Sequence, residues 1–192
     1  SLRQGDIVVD IGAHIGGYSV KAAKQCAKVI AYEASPSNYE LLVKNLAING
    51  CHNVKAYNAA VASKNGTVKL FLDPKGTALN SIYHAPSSGE KITVNSVNLH
   101  TVFTRNKLKM IDVLKLDVEG AEYDILLHAR AADLRKIRTI VMEYHDFLDH
   151  CHNKNELKAL LISNGFSVKE TSPWFVPLFL KKGELFATRN KP

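Results

Sequence analysis

The stretch VVDIGAHIGGYS, Val8 to Ser19, runs from an apolar segment straight into a turn holding Asp10, Gly12, Gly16 and Gly17. Apolar residues without alternation suit a parallel strand covered on both faces. Glycines just after such a strand let the backbone close on a ligand with no Cβ in the way. The spacing restricts what that ligand can be. A dinucleotide fingerprint needs glycines at the first, third and sixth positions. Counted from Gly12, the third position is His14 and the sixth is Gly17, so the middle glycine is missing. The Gly-Lys-Ser/Thr of a phosphate-cradling loop is also absent. Asp10 adds negative charge that repels a pyrophosphate and welcomes a cation.

Glu33 closes the next apolar segment, KVIAYE (28–33), 21 residues after Gly12. An acid at about that spacing can accept both hydroxyls of a ribose. A phosphate-free adenosine with a positive centre describes S-adenosylmethionine, whose sulfonium and amino groups suit Asp10. In the bland alternative, Asp10 caps a turn and Glu33 is a surface acid; the two placed together favour the cofactor.

Outward from this turn, strands alternate with amphipathic helices. The expected elements are a strand at 6–11, a helix at 17–28, a strand at 28–33, a helix at 35–50 and a strand at 53–61. Ser35, Pro36 and Asn49-Gly50 punctuate the second helix. From 66 to 104 the pattern changes to short strands, TVKLFL, SIYHA and KITVNSV, joined by Gly/Pro/Ser turns. Alternation then resumes with a strand at 110–117, a helix at 119–134, a strand at 137–145 and a helix at 154–165. Strands FSVKE and ELFATR close the chain. Such alternation predicts an α/β, doubly wound, Rossmann-like sheet in one domain spanning 1–192, with a short strand insertion at 66–104.

The composition of the 192 residues, 46% hydrophobic and 22% charged, is that of a globular protein. No apolar run is long enough to span a bilayer, and the first residues lack a secretory signal pattern. The cysteines, Cys26, Cys51 and Cys151, read as free thiols in a reducing compartment, hence a cytoplasmic expectation. The net charge of +7 is spread along the chain rather than gathered in a basic run, which fits a solvated surface better than a nucleic-acid face.

Several segments, VVDIGAHIGGYS, AYEASPSNYELLVKNLAIN, NAAV and above all IDVLKLDVEGAEYDIL, resemble the FkbM-type, S-adenosylmethionine-dependent methyltransferases. The resemblance runs from about Gly5 to His145, and KLDVEGAE is its most specific part. It implies a seven-stranded methyltransferase sheet, ordered 3-2-1-4-5-7-6 with the seventh strand antiparallel. It also implies methyl transfer to a hydroxyl, commonly on a sugar, glycolipid or polyketide-like molecule. By the resemblance, Asp10, Gly12 and Gly16, with Ala13 and His14 between them, line the methionine end. Glu33, followed by Ala34, holds the ribose, while Asn58 and Ala59 sit against the adenine. His14 departs from the family pattern, which has a small amide residue there. The chain also starts close to the first strand, so the segment that often covers the acceptor is expected to be missing or trimmed. The acceptor pocket then falls to 66–104 and to TSPWFVPLFLKKG (171–183).

The fourth strand ends at Asp117, where the methyl group would lie, and Asp117 doubles as a cofactor and catalytic candidate. Lys115, Asp117, Glu119 and Glu122 crowd ionisable groups among apolar residues, and such groups are normally paired or functional. Lys115 and Asp117 share a strand face and can neutralise one another. An alcohol needs a base within hydrogen-bond reach, worth roughly 10²–10⁴-fold. The candidates are Asp117, Glu119, Glu143 and His145, taken as a carboxylate–histidine set. YHDFLDHCH (144–152) has metal-like spacings, but its pairs lie on offset faces, so it reads as a polar helix entry with no metal. Trp174 and Phe175 can stack on a sugar ring, pack a homodimer contact or fill a core. Against this reading stand an RNA methyltransferase, a cofactor-binding module without turnover and, more remotely, a nicotinamide oxidoreductase. The first lacks the Asn/Asp-Pro-Pro-aromatic type of motif on strand four, and His14 disfavours the last.

Overall fold

The structure, a computed structural model, describes residues 2–73, 80–82, 90–145, 153–171 and 182–189. In chain order the elements are β1 (Ile7–Ile11), α1 (Gly17–Ala23), β2 (Lys28–Glu33), α2 (Pro36–Ile48), β3 (Val54–Asn58), β4 (Ala60–Val61), β5 (Gly66–Phe71) and β6 (Lys91–Val97). They continue with α3 (Leu99–Arg105), β7 (Ile111–Leu116), α4 (Glu122–Leu127), α5 (Ala131–Leu134), β8 (Ile137–His145), α6 (Lys154–Ser163), β9 (Ser167–Thr171) and β10 (Lys182–Thr188). Seven strands form one sheet in the order β3-β2-β1-β7-β8-β10-β9. All neighbours are parallel except β10, which runs antiparallel to both β8 and β9. This is the expected order 3-2-1-4-5-7-6.

Period-two alternation divides the strands between two cores. Val8 packs with Val29, Val113 and Ala22 under α1, and Ala31 packs with Leu42 and Leu46 of α2. The other face carries Val9, Ile11, Ile30, Leu114 and Leu116. It meets Val102 and Phe103 of α3, Ile125 and Leu126 of α4, Leu134 of α5, and Leu157 and Leu161 of α6. Helices cover both faces, so the central strands β1, β2 and β7 are mostly apolar and buried, and the carboxyl ends of the parallel strands open together at one edge.

The region between β3 and β7 departs from the strand-only expectation. β4, β6 and β5 form a separate sheet in that order, in which β6 pairs parallel with β4 and antiparallel with β5. The expected strand 53–61 is therefore divided after Asn58, with Ala60–Val61 joining the second sheet. Of SIYHA, Ser81 makes a single antiparallel bridge to Phe71, and 83–85 lie outside the described residues. α3 was not anticipated. Asn98 caps it, its Oδ1 accepting from Thr101 N at 2.9 Å, and Leu99, Val102 and Phe103 bury one stripe.

Two expected helices are shorter. α1 stops at Ala23, and Asn53 Nδ2 donates to the freed carbonyls of Ala23 and Cys26. The helix read as 119–134 is a turn followed by two pieces. Glu119 and Gly120 have φ of 50° and 101°, values incompatible with a right-handed helix. Arg130 then adopts an extended backbone before α5.

Candidate active site

β1 ends in the glycine turn. Gly12 N and Ala13 N both donate to Tyr32 O at 3.0 Å, tying the turn to β2. Gly12 has φ of 78°, and a Cβ there would lie 1.8 Å from the carbonyl oxygen of Asp117. No side chain fits in that gap, so this glycine is dictated by the contact between the ends of β1 and β7. Gly16, at φ 95°, begins α1 and packs so close to Leu42 that a Cβ would fall 2.6 Å from its Cδ1. His14 takes a left-handed φ of 52° without being glycine. That conformation aims its backbone N–H at Glu33 Oε2, 2.7 Å away.

Glu33 is held from both sides, because Ser35 N donates to Oε1 at 2.8 Å. The cap that starts α2 explains the second contact: Ser35 adopts the extended backbone before Pro36, which turns its N–H back toward β2. Burial pushes the Glu33 carboxyl above the usual glutamate range, against the pull of the Ser35 and His14 amides. Each oxygen thus accepts from one backbone donor. Asn38, on the first turn of α2, hydrogen-bonds to the same carboxylate.

Asp10 departs from the expectation of a carboxylate open to a cation. It is fully buried, and parallel register pairs it directly with Lys115. Lys115 Nζ lies 3.2 Å from Asp10 Oδ1 and 3.3 Å from Asp117 Oδ2, and donates to Gly12 O at 3.1 Å. Ser19 Oγ donates to Asp10 Oδ2 at 2.7 Å. Burial pulls the Lys115 amine down, but Asp10 and Asp117 outweigh it and keep it above the ordinary lysine value. One ammonium thus fastens the glycine turn to the ends of β1 and β7.

The turn after β7 carries the second charged group. Glu122, with no exposed surface, accepts from His145 Nδ1 at 3.0 Å through Oε1. The same oxygen accepts, at 3.3 and 3.4 Å, from Val118 N and Gly120 N. His145 Nε2 lies 3.4 Å from Glu119 Oε2 and 3.8 Å from Glu143 Oε1. Burial would lower the His145 pKa; Glu122, then Glu119 and Glu143, reverse that and raise it above 6.5.

A cavity of about 300 Å³ opens between these two groups. It gathers Gly12, His14, Glu33, Ala34, Ala59, Asp117, Glu119 and Glu143 from the expected set. Asp10, Ala13, Gly16, Asn58 and His145 stand behind its wall. Asn58 Nδ2 donates to the carbonyls of Glu33 and Ala34, shaping the rim from beneath. Tyr32, Asn38, Leu70, Asn80 and Ile82 also line it and were not singled out in the sequence. The capping signal at Ser35 could have found Asn38; Leu70, Asn80 and Ile82 belong to a fold-back that no local pattern reveals. Trp174, Phe175 and residues 146–152 lie outside the described residues. Cys26 and Cys51 are free thiols. Among the described residues, no helix is long and apolar enough to cross a membrane.

A family model described as the methyltransferase FkbM domain matches residues 10–168. The 31-O-demethyl-FK506 methyltransferase FkbM of Streptomyces tacrolimicus is 30% identical, over 91% of this chain and 78% of its own. The hexuronic acid methyltransferase AglP of Haloferax volcanii is 23% identical, over 77% of this chain and 59% of its own. The crystal structure of methyltransferase FkbM from Methylobacillus flagellatus KT matches with a TM-score of 0.63 at 14% identity, covering 97% of this chain and 44% of that one.

Proposed function

Since the chain belongs to the FkbM methyltransferase family, we propose that it methylates a hydroxyl oxygen on a sugar, glycolipid or polyketide-like small molecule. S-adenosylmethionine is its methyl donor. The observation that carries the reading is Glu33, a carboxylate fixed by two backbone N–H groups at the cavity wall. The acceptor capacity it retains suits a ribose hydroxyl, and its charge repels a phosphate. Ala34 and Ala59 give the adenine a flat apolar seat, supported from behind by Asn58. Gly12 and His14 face the methionine end, and Ala13 and Gly16 set the course of the turn behind them. Asp10 acts at one remove, by fixing Lys115.

Bound there, the donor supplies a methyl whose bond to sulfur breaks, leaving the electron pair on sulfur, as the acceptor oxygen forms its bond to carbon. The protein's share is to hold that oxygen about 3 Å from the methyl, in line with the sulfur, and to take its proton. Asp117, Glu119 and Glu143 line the cavity and His145 stands directly behind two of them, so the proton has acceptors within reach. The acceptor class draws support from two relatives, one named for an O-demethyl-FK506 compound and one for a hexuronic acid.

Calorimetry with S-adenosylhomocysteine should detect binding that Glu33→Ala abolishes. Labelled-methyl transfer is then screened over methyl glycosides, glycolipids, macrolactones and RNA. Absence of binding, or transfer to RNA alone, overturns the proposal.

A further inference from the structure

Glu122 is a residue that the reading above leaves without work. A fully buried carboxylate carries a heavy desolvation cost, and a buried ion pair is often no more stabilising than apolar residues of the same volume. Its Oε2 has no hydrogen-bond partner among the described residues, which makes a purely structural explanation weaker still. Its Oε1, in contrast, meets three donors: His145 Nδ1 and the amides of Val118 and Gly120. Those amides belong to the turn in which Glu119 is forced to a left-handed φ. One oxygen thereby fixes both the backbone that aims Glu119 and the ring that faces it.

Resting on the methyltransferase reading, we infer that Glu122 is a positioning residue. It holds the His145 ring through Nδ1 so that Nε2 faces Glu119 and Glu143, and one of these two carboxylates, not the imidazole, takes the acceptor proton. The proton leaves the acceptor oxygen for a carboxylate oxygen, and the ring keeps both of its N–H protons throughout. The groups facing His145 are consistent with a ring that stays protonated. Glu122 faces it from α4, Glu119 from the turn after β7 and Glu143 from its own strand, with Lys182 its register partner on β10. These carboxylates raise its pKa although burial opposes them.

The two candidate bases predict pH profiles of opposite sign. An imidazole base makes the rate rise with pH through the His145 midpoint. An imidazolium that orients carboxylates makes the rate fall through it. The experiment follows the His145 ring by NMR titration in the full chain with S-adenosylhomocysteine bound. In parallel it measures labelled-methyl transfer to methyl glycosides across the same pH range. The parent should titrate above the ordinary value of about 6.5, and Glu122→Gln should lower that midpoint by about one unit or more. The falling limb of the rate should move down by the same interval. A rising limb, a parent midpoint at or below about 6.5, or a Glu122→Gln profile superimposable on the parent's overturns the inference. Should Glu122→Gln not fold, Glu122→Asp retains the charge, and the signs of the parent's limb and midpoint decide alone. Failure of the parent to bind S-adenosylhomocysteine sinks the methyltransferase reading itself; binding with a rising limb sinks only the role of Glu122.

Discussion

The two walls of the cavity are built by different means. On the β1–β2 side, backbone geometry does the positioning: left-handed residues, two amides on Glu33 and a glycine that no other residue can replace. On the β7–β8 side, paired side-chain charges do it: Lys115 between Asp10 and Asp117, and His145 among Glu119, Glu122 and Glu143. The first wall suits a ligand of constant shape, which a rigid mould can fit. The second suits a reaction, because side-chain charges can respond to a moving proton whereas amides cannot.

Perturbing each wall in turn tests this contrast. The largest effect is expected from Gly12→Ala, which drives a methyl into the Asp117 carbonyl and strains both walls at once. Thermal melts should show a loss of about 4 kcal/mol or more, in the range reserved for overpacking and backbone strain. A mild loss would mean that the walls yield independently. Next comes Lys115→Met, which strands buried Asp10 without its cation; a loss of about 3 kcal/mol is expected in denaturant titration. Adding Asp10→Asn should restore part of that loss if the ammonium is there to neutralise Asp10.

Glu33→Gln should weaken S-adenosylhomocysteine roughly 10- to 100-fold by calorimetry, since an amide nitrogen cannot accept from His14 N or Ser35 N. Unfolding should change far less, separating mould from scaffold. Lowering the pH of the parent offers a finer probe. Glu33 has a raised pKa, so it is protonated, and stops accepting at full strength, at a higher pH than an exposed glutamate. Affinity should therefore fall as pH drops from 7 toward 5, and Glu33→Gln should be flat over that range. The smallest change is Asn98→Ala, which removes the α3 cap and should cost about 1 kcal/mol of stability, with donor affinity unaltered.

The contrast also explains how far the sequence could be read. The sheet order and the β1–β2 wall are legible because their determinants are local. A strand, a glycine turn and an acid closing the next strand recur at fixed spacing, and Gly12 and Glu33 emerge from that spacing alone. The charged wall was legible only as a crowd of ionisable residues. Glu119 and Glu122 meet Glu143 and His145 through a parallel crossover of more than twenty residues, and no periodicity states which carboxylate faces the ring. The burial of Asp10 against Lys115 was hidden for the same reason, since the two meet across a strand pairing. α3 was hidden by its short length, although Asn98 and the spacing of Leu99, Val102 and Phe103 carry its signature.

The contact between Gly12 and the Asp117 carbonyl has one more consequence. Because no gap separates the two turns, a displacement of either one must be taken up by the other rather than absorbed by intervening side chains. The Asp117 amide, which donates to Ile11 O at 3.1 Å, ties the ends of the same two strands together.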